Sequence, residues 1–425
     1  MEAPGEKAAR GPVLTEAVLG EVLFRLPPDQ PACLFRAAAV CQAWRAFLTS
    51  PDLLRIYRGF HAAPPVLGFL QNTGRSDEPF PRFVTTAAPS PPLHHHPEFD
   101  CEFWLALDCR HGRVLFHTNF PLGLIVWSPV TGDYQVLPEE PIQLDPPDPP
   151  YSDFAGAVLC AVDGCDHLDC PPQGPFRVVF AATSYENVDV VSTWAILYSS
   201  ETGAWTEPST VHPGAVMNSP GVTSIMGPSL LAGDALYFTL DLLNNRTVLR
   251  YDLGGGALTV MDPPPLVRRD TFLVTGEGGG LGVAAVEGYS LRLWSWEAAA
   301  GWALRRVIDL EMSIPFTIGA PTTQLKVIGF AEMSGTIFVS ANGIISSVQL
   351  RSGSGRVSKF SRTPNSDTIF PFEIFYTLGT SLTCFSALLI MFGICDRPFL
   401  VLVVENKLVL SSLAVRGNLI RLVIW

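Results

Sequence analysis

Five times between residues 112 and 360 the chain repeats one arrangement: a short apolar run that opens at or near Gly or Asp, then an amphipathic stretch broken by a turn. The apolar runs are 112–116 (GRVLF), 176–180 (FRVVF), 234–240 (DALYFTL), 280–286 (GLGVAAV) and 335–339 (GTIFV). Their partners are 125–137, 196–205, 249–260, 291–310 and 345–360. Each couple reads as the inner and outer strands of one antiparallel unit, because short β-rich runs bounded by turn residues build hairpins. A single open sheet of so many strands would curl or split, whereas radial repetition lets each small sheet cover its faces with its neighbours. The spacing predicts a β-propeller of about six blades, with a β-sandwich plus a second small domain as the alternative. Trp127, Tyr198, Tyr251 and Trp294 recur at intervals of 71, 53 and 43 residues, which suits blades joined by connections of unequal length better than a strict solenoid. Open sheet edges attract further pairing. A strand near 66–70 or 80–86 is therefore expected to pair with one near 369–376 and close the ring.

The first sixty residues follow a different rule. Val18, Leu19, Val22, Leu23 and Leu26 share one helical face after a candidate N-cap at Thr15, and Pro27-Pro28 stops the helix. A second short helix carries Leu34, Phe35, Ala38 and Ala39, and a third Val40, Cys41, Trp44, Phe47 and Leu48. Ser50-Pro51 opens a last turn through Leu53, Leu54 and Tyr57. Helices this short cover little apolar surface by themselves, so they require a partner or a neighbouring domain. The divisions expected are a disordered 1–12, a helical module over 13–61, a β region over 66–377 and an apolar extension over 378–425.

Length, charge and cysteine usage narrow the classes. A chain of 425 residues exceeds one ordinary core. Residues 61–377 hold 17 Lys or Arg against 32 Asp or Glu, an acidic excess that disfavours nucleic acid and favours basic or neutral protein partners. The start, MEAPGEKAARGP, has no apolar secretory core, so a cytoplasmic or nuclear location is expected. The nine cysteines are then reduced thiols, and the Asn245-Arg246-Thr247 sequon goes unused.

The order Leu26-Pro27, Val40-Cys41-x-x-Trp44-Arg45 and Pro51-x-Leu53 resembles the F-box motif; an ordinary helical cap is the alternative. The β region resembles the F-box-associated propeller of plant-type F-box proteins. That likeness rests on Trp127-Ser128-Pro129-x-Thr131-Gly132, on Gly164-Cys165-Asp166-His167-Leu168-Asp169-Cys170, on Pro175-Phe176-Arg177-Val178-Val179-Phe180, on Tyr198-Ser199-Ser200-Glu201-Thr202-Gly203-x-Trp205 and on Gly329-Phe330-Ala331-Glu332. The resemblance implies a three-helix F-box that binds a Skp-type adaptor, and through it cullin and RING subunits, while the propeller presents a target protein for ubiquitin transfer. The adaptor contacts it implies are Leu14, Leu19, Leu23, Leu26, Pro27, Leu34, Val40, Cys41, Trp44 and Arg45. Target recognition is expected on one loop-rich face carrying the long connections 138–152 and 161–175.

No cofactor and no catalytic residue is expected. There is no G-x-S-x-G, H-E-x-x-H or kinase signature, and the glycines of 276–282 lack the Lys-Ser/Thr end of a phosphate loop, so they read as a hairpin turn. Cys160, Cys165, His167 and Cys170 place four donors within eleven positions. Their spacing lacks paired C-x-x-C knuckles, so a reduced loop is expected there, with zinc as the lesser reading. His94-His95-His96 lies among prolines and suits an exposed linker. Residues 374–395 carry no charge and could span a bilayer as a helix, but the flanking charges lack the asymmetry of a span. Membrane anchoring is thus the lesser reading of that run. A propeller-fold enzyme remains the alternative function, and it would need convergent acids, bases or a metal in its cavity.

Overall fold

The computed structural model describes residues 16–72, 80–87, 93–94, 97, 103–119, 123–139, 154–187, 190–212, 223–242, 245–264, 271–310, 325–350, 357–362, 368–377, 399–404, 407–416 and 419–424. The chain forms two units, one of residues 63–375 and one of residues 1–62 with 376–425.

The larger unit is a six-bladed β-propeller. The first blade joins β1 (Val66–Gln71) and β2 (Arg82–Thr85) to the last propeller strand. Blade two is β3 (Phe103–Arg110), β4 (Arg113–Asn119), β5 (Gly123–Trp127) and β6 (Tyr134–Val136). Blade three is β7 (Phe154–Cys160), β8 (Phe176–Asn187), β9 (Val190–Ser199) and β10 (Ala204–Trp205), with β11 (Ser209–Val211) also on β9. Blade four is β12 (Thr223–Ala232), β13 (Ala235–Leu242), β14 (Asn245–Asp252) and β15 (Leu258–Met261). Blade five is β16 (Thr271–Thr275), β17 (Leu281–Glu287), β18 (Ser290–Glu297) and β19 (Gly301–Asp309). Blade six is β20 (Leu325–Ala331), β21 (Thr336–Ala341), β22 (Ile344–Gln349) and β23 (Val357–Arg362), and β24 (Ile369–Glu373) returns to blade one. The strands β24, β3, β7, β12, β16 and β20 touch one another in that order around the axis.

Both ends of the β region build one sheet, as the sequence predicts: Leu70 lies opposite Phe370 and Gln71 opposite Ile369 in an antiparallel ladder. Pro371 is tolerated in β24 because an innermost strand has one edge that pairs with nothing. Apolar clusters fill the spaces between blades. Phe116, Trp104 and Phe370 pack between blades one and two, Phe180, Trp194 and Leu115 between two and three, and Phe238, Leu249 and Val179 between three and four. A cluster with Leu230, Val283 and Ile337 joins blades four to six, and Phe69, Ile328 and Phe338 seal six to one. Gly329 marks the closest approach at that seam, since a Cβ there would lie 2.5 Å from Ile369 Cγ1.

The repeat needs one correction. The five apolar runs are the second strands of blades two to six, not the innermost ones. The axis-facing first strands escape the pattern because charge and small residues interrupt them: Asp108 and Arg110 in β3, Ala155-Gly156-Ala157 in β7, Gly227-Pro228-Ser229 in β12. The anchor aromatics occupy equivalent places, since Trp127, Tyr198, Tyr251 and Trp294 all sit buried on third strands. Residues 276–280 link β16 to β17 as the expected hairpin turn.

The other unit has four helices among its described residues, not three: α1 (Glu16–Phe24), α2 (Pro31–Val40), α3 (Gln42–Thr49) and α4 (Pro51–His61). The last turn expected at Pro51 continues for three turns, and Val40 closes α2 rather than opening α3, because Cys41 is extended at the junction. Leu23, Leu34, Phe35, Ala38, Leu48, Leu54 and Tyr57 form the buried centre, and the Tyr57 hydroxyl donates to the Leu26 carbonyl at 2.9 Å. Phe35 also meets Tyr376, with ring centroids 5.9 Å apart, and Arg58 Nη2 donates to Thr377 Oγ1 at 3.3 Å. The same unit holds an antiparallel sheet of β25 (Phe399–Val404), β26 (Lys407–Arg416) and β27 (Leu419–Ile424). Most of the uncharged run at 374–395 lies outside the described residues, among which no helix is long and apolar enough to cross a membrane.

Candidate functional site

Three groups of side chains bear on function. The first is the expected adaptor surface. Leu23 and Leu34 are buried within the helical unit, Leu26, Pro27, Trp44 and Arg45 are half-buried, and Cys41 is exposed. Val40 is 63% exposed, and Val18 and Val22 are about half exposed. Leu19 lies on α1, and Leu14 lies outside the described residues. Arg45 Nε donates to the Ala38 carbonyl at 3.4 Å, so its chain is drawn back on α2.

The second group sits where the first strands reach one end of the axis. Arg110 Nη1 donates to Asp108 Oδ2 at 2.7 Å, while Nη2 and Nε clasp the two oxygens of Glu332 at 2.6 and 3.0 Å. Arg110 also reaches the Ser229 carbonyl, Asp108 accepts the Val158 amide and Glu332 accepts the Leu231 amide. Arg110 thus ties β3 to β12 and to the turn that follows β20, and Asp108 extends the network to β7. Glu373 of β24 accepts the amides of Met333 and Ser334 at 3.0 and 2.7 Å. Burial pushes Asp108 up to about 6 against the pull of Arg110, and pushes Glu373 up to about 7 against its bonds from Ser334 and Met333. Burial opposes the charge on Arg110, but Asp108 and Glu332 outweigh it and hold the cation firmly. A small cavity of about 30 Å³ opens beside Asp108, Arg110, Ser229, Glu332 and Glu373. Raised carboxyl groups in a cavity can mark catalysis. Here Arg110 joins Asp108 of blade two to Glu332 of blade six, and Glu373 of blade one holds the amides of Met333 and Ser334 of blade six, so the group bridges blades. The sequence did not signal this hub, apart from Glu332 in the family-like run 329–332.

The third group is the connection from β7 to β8. The Sγ atoms of Cys165 and Cys170 lie 3.7 Å apart, and His167 Nδ1 lies 3.4 Å from Cys170 Sγ. With Cys160, the four donor atoms fall within 4.8 Å of one another, and all four residues are half-buried. The left-handed backbone at Gly164 and at His167 (φ +61°) folds the loop back so that its donors converge. Leu168 donates its amide to Asp166, and Arg113 Nη2 bonds the carbonyls of Pro171, Pro172 and Gly174 at 2.9, 3.3 and 2.8 Å. The His111 ring stacks on His167 with centroids 4.1 Å apart, and His111 Nδ1 accepts the Cys160 amide at 3.2 Å. Burial and the neighbouring Cys160 and Cys165 thiols push the Cys170 thiol up. Burial pushes His167 down, against the pull of Asp166.

The expected single loop-rich face requires a further correction. Residues 138–152 precede β7 and residues 161–175 follow it, so the two connections attach at opposite ends of one strand. Residues 161–175 join the hub at the end where first strands finish. The blade-to-blade connections 137–153, 212–222, 262–270 and 310–324 attach at the other end, whereas 86–102 leaves β2 at the hub end, where Thr86 bonds Leu67 and Val66 lies opposite Glu373. Most of those residues, including 140–152, lie outside the described ones, as do His95 and His96. His94 is described, and its imidazole lies against Gly132.

These features define the class: a six-bladed β-propeller with a separate helical unit. No family model matches the chain, and no curated protein matches it. Among solved structures, TolB from Acinetobacter baumannii is similar at 13% identity over 74% of this chain and 69% of that one, with a TM-score of 0.30. The Dos1 propeller is similar at 12% identity over 67% of this chain and 63% of its own, with a TM-score of 0.33. A protein from Lactobacillus plantarum is similar at 12% identity over 84% and 94%, with a TM-score of 0.35. At these values the likenesses say nothing of function.

Proposed function

We propose that the chain is the substrate-recognition subunit of a Skp-cullin-F-box ubiquitin ligase, with the helical unit docking a Skp-type adaptor and the propeller holding a target protein. The observation that carries this reading is apolar surface left on the helical unit: Val40 at 63% exposure and Val18 and Val22 at about half. Val40 belongs to the Val40-Cys41-x-x-Trp44-Arg45 run on which the F-box likeness rests, and a buried interface would cover such side chains. Leu26 and Pro27, half-buried at the break between α1 and α2, fit the rim of the same contact. The face on which most blade-to-blade connections converge suits target capture, because a rigid scaffold varies its loops without losing its core.

The test is a pull-down of recombinant Skp-type adaptor by the full chain. Val22→Arg with Val40→Arg, and separately Leu26→Ala with Pro27→Ala, should weaken capture by at least about tenfold, as central interface losses do. Circular dichroism should show unchanged helices and strands. Full capture by both variants would refute the adaptor reading.

A further inference from the structure

We propose that Cys160, Cys165, His167 and Cys170 form a structural zinc site that pins the β7–β8 connection back onto the end of β7, beside the neighbouring blade. A tetrahedral ion with Zn–S bonds of about 2.3 Å and Zn–N of about 2.05 Å requires S···S edges of about 3.8 Å and N···S edges of about 3.6 Å. The Cys165–Cys170 and His167–Cys170 separations are 3.7 and 3.4 Å. A disulfide would need sulfurs about 2.05 Å apart. The donor set, three thiols and one imidazole, is borderline-soft and suits zinc better than magnesium or calcium, which take oxygen.

The surroundings are those of a second shell. Ligating groups are held in place by outer hydrogen bonds and packing. His111 stacks on His167, and its Nδ1 is committed to the Cys160 amide, so it orients the cluster without joining it. Arg113 holds the far end of the loop by three carbonyls. Four protein ligands leave no open position, which is the mark of a structural rather than a catalytic ion. Binding follows a simple balance: one Zn²⁺ displaces three thiol protons, the imidazole binds neutral through Nδ1, and the site carries one net negative charge. The ion supplies what the segment lacks, since residues 161–175 form no strand and few of them are apolar.

The experiment uses the full chain, purified under reduction without metal-affinity steps and reconstituted with zinc alone or cobalt alone. Elemental analysis should give about one zinc per chain, and cobalt should give a tetrahedral visible spectrum with thiolate charge-transfer bands. Cys165→Ser and Cys170→Ser should each cut zinc content at least about tenfold. A variant with His94, His95 and His96 all changed to Ala should bind as the native chain does. Should a thiol variant misfold, the native cobalt spectrum still counts the thiolates. No uptake by the reduced native chain, full uptake by both thiol variants, or loss of binding in the His-run variant would each overturn the proposal. A stable Cys165–Cys170 disulfide with no zinc uptake after reduction would do so too. Adaptor capture is read separately, so failure here leaves the adaptor reading standing, and the reverse.

Discussion

His117 shows how one buried side chain can give the whole ring a pH dependence. It lies 4% exposed on β4 against Phe154, with centroids 4.2 Å apart, and burial pushes its pKa down to about 4. The folded state therefore holds fewer protons than the unfolded chain between about pH 4 and 6.5, so this contribution to stability is present above 6.5 and lost as pH falls toward 4. His117→Phe should remove up to about 3 kcal/mol of that acid sensitivity. Urea midpoints at pH 7 and pH 4.5 would check it. Asp108 and Glu373 act in the opposite sense, because carboxyl groups raised to about 6 and about 7 favour the folded state when protonated. Their contribution falls as pH rises from about 4 to about 7. Arg110→Met leaves Asp108 and Glu332 facing each other without their cation and should cost about 3–5 kcal/mol at pH 8. The loss should shrink at pH 5, where Asp108 is protonated. An equal loss at both values would mean that Arg110 acts through packing alone.

At the scale of the element, the helical unit separates side chains that hold it together from side chains that face outward. Tyr57 is 3% exposed on α4, and its hydroxyl holds the Leu26 carbonyl where Pro27-Pro28 ends the first helix. Tyr57→Phe should cost about 1 kcal/mol, the net worth of one such bond, read as a lower thermal midpoint with the fold retained. Trp44 is only half-buried, so Trp44→Ala should cost less than the roughly 3–5 kcal/mol of a fully buried ring. The helix signals at Ser50-Pro51 were legible because Pro is pre-organised for the first helical position. The length of α4 was not, since nothing local marks where packing stops supporting a helix.

For the whole molecule, closure is the decisive event. Phe69 and Phe372 are fully buried on the two strands that bring the ends of the propeller together, and Phe69 meets Phe338 of blade six. Phe372→Ala should cost about 3–5 kcal/mol. Because the ring is cooperative, amides of β1 and β24 should exchange hydrogen together in the variant, and earlier than those of β8 and β9. Independent exchange of β1 and β24 would show that the seam is not a cooperative unit. Gly329→Val, which sets a Cβ against Ile369, should destabilise the same seam from the blade-six side.

The amino-acid sequence alone determined the propeller, its approximate blade count and its closure, because second and third strands carry apolar runs and anchor aromatics that alternate with turn residues. It also brought Cys160, Cys165, His167 and Cys170 to notice, without deciding whether they meet. The first strands and the hub of Asp108, Arg110, Glu332 and Glu373 were hidden, since their partners lie as far apart in the chain as Arg110 and Glu332 and leave no local period. Likewise only the folded chain sends the connections at 138–152 and 161–175 to opposite ends of β7. Hydrophobic alternation is a local property that a sequence displays, whereas charge pairing, donor convergence and the facing of loops arise from closing the ring, which only tertiary structure decides.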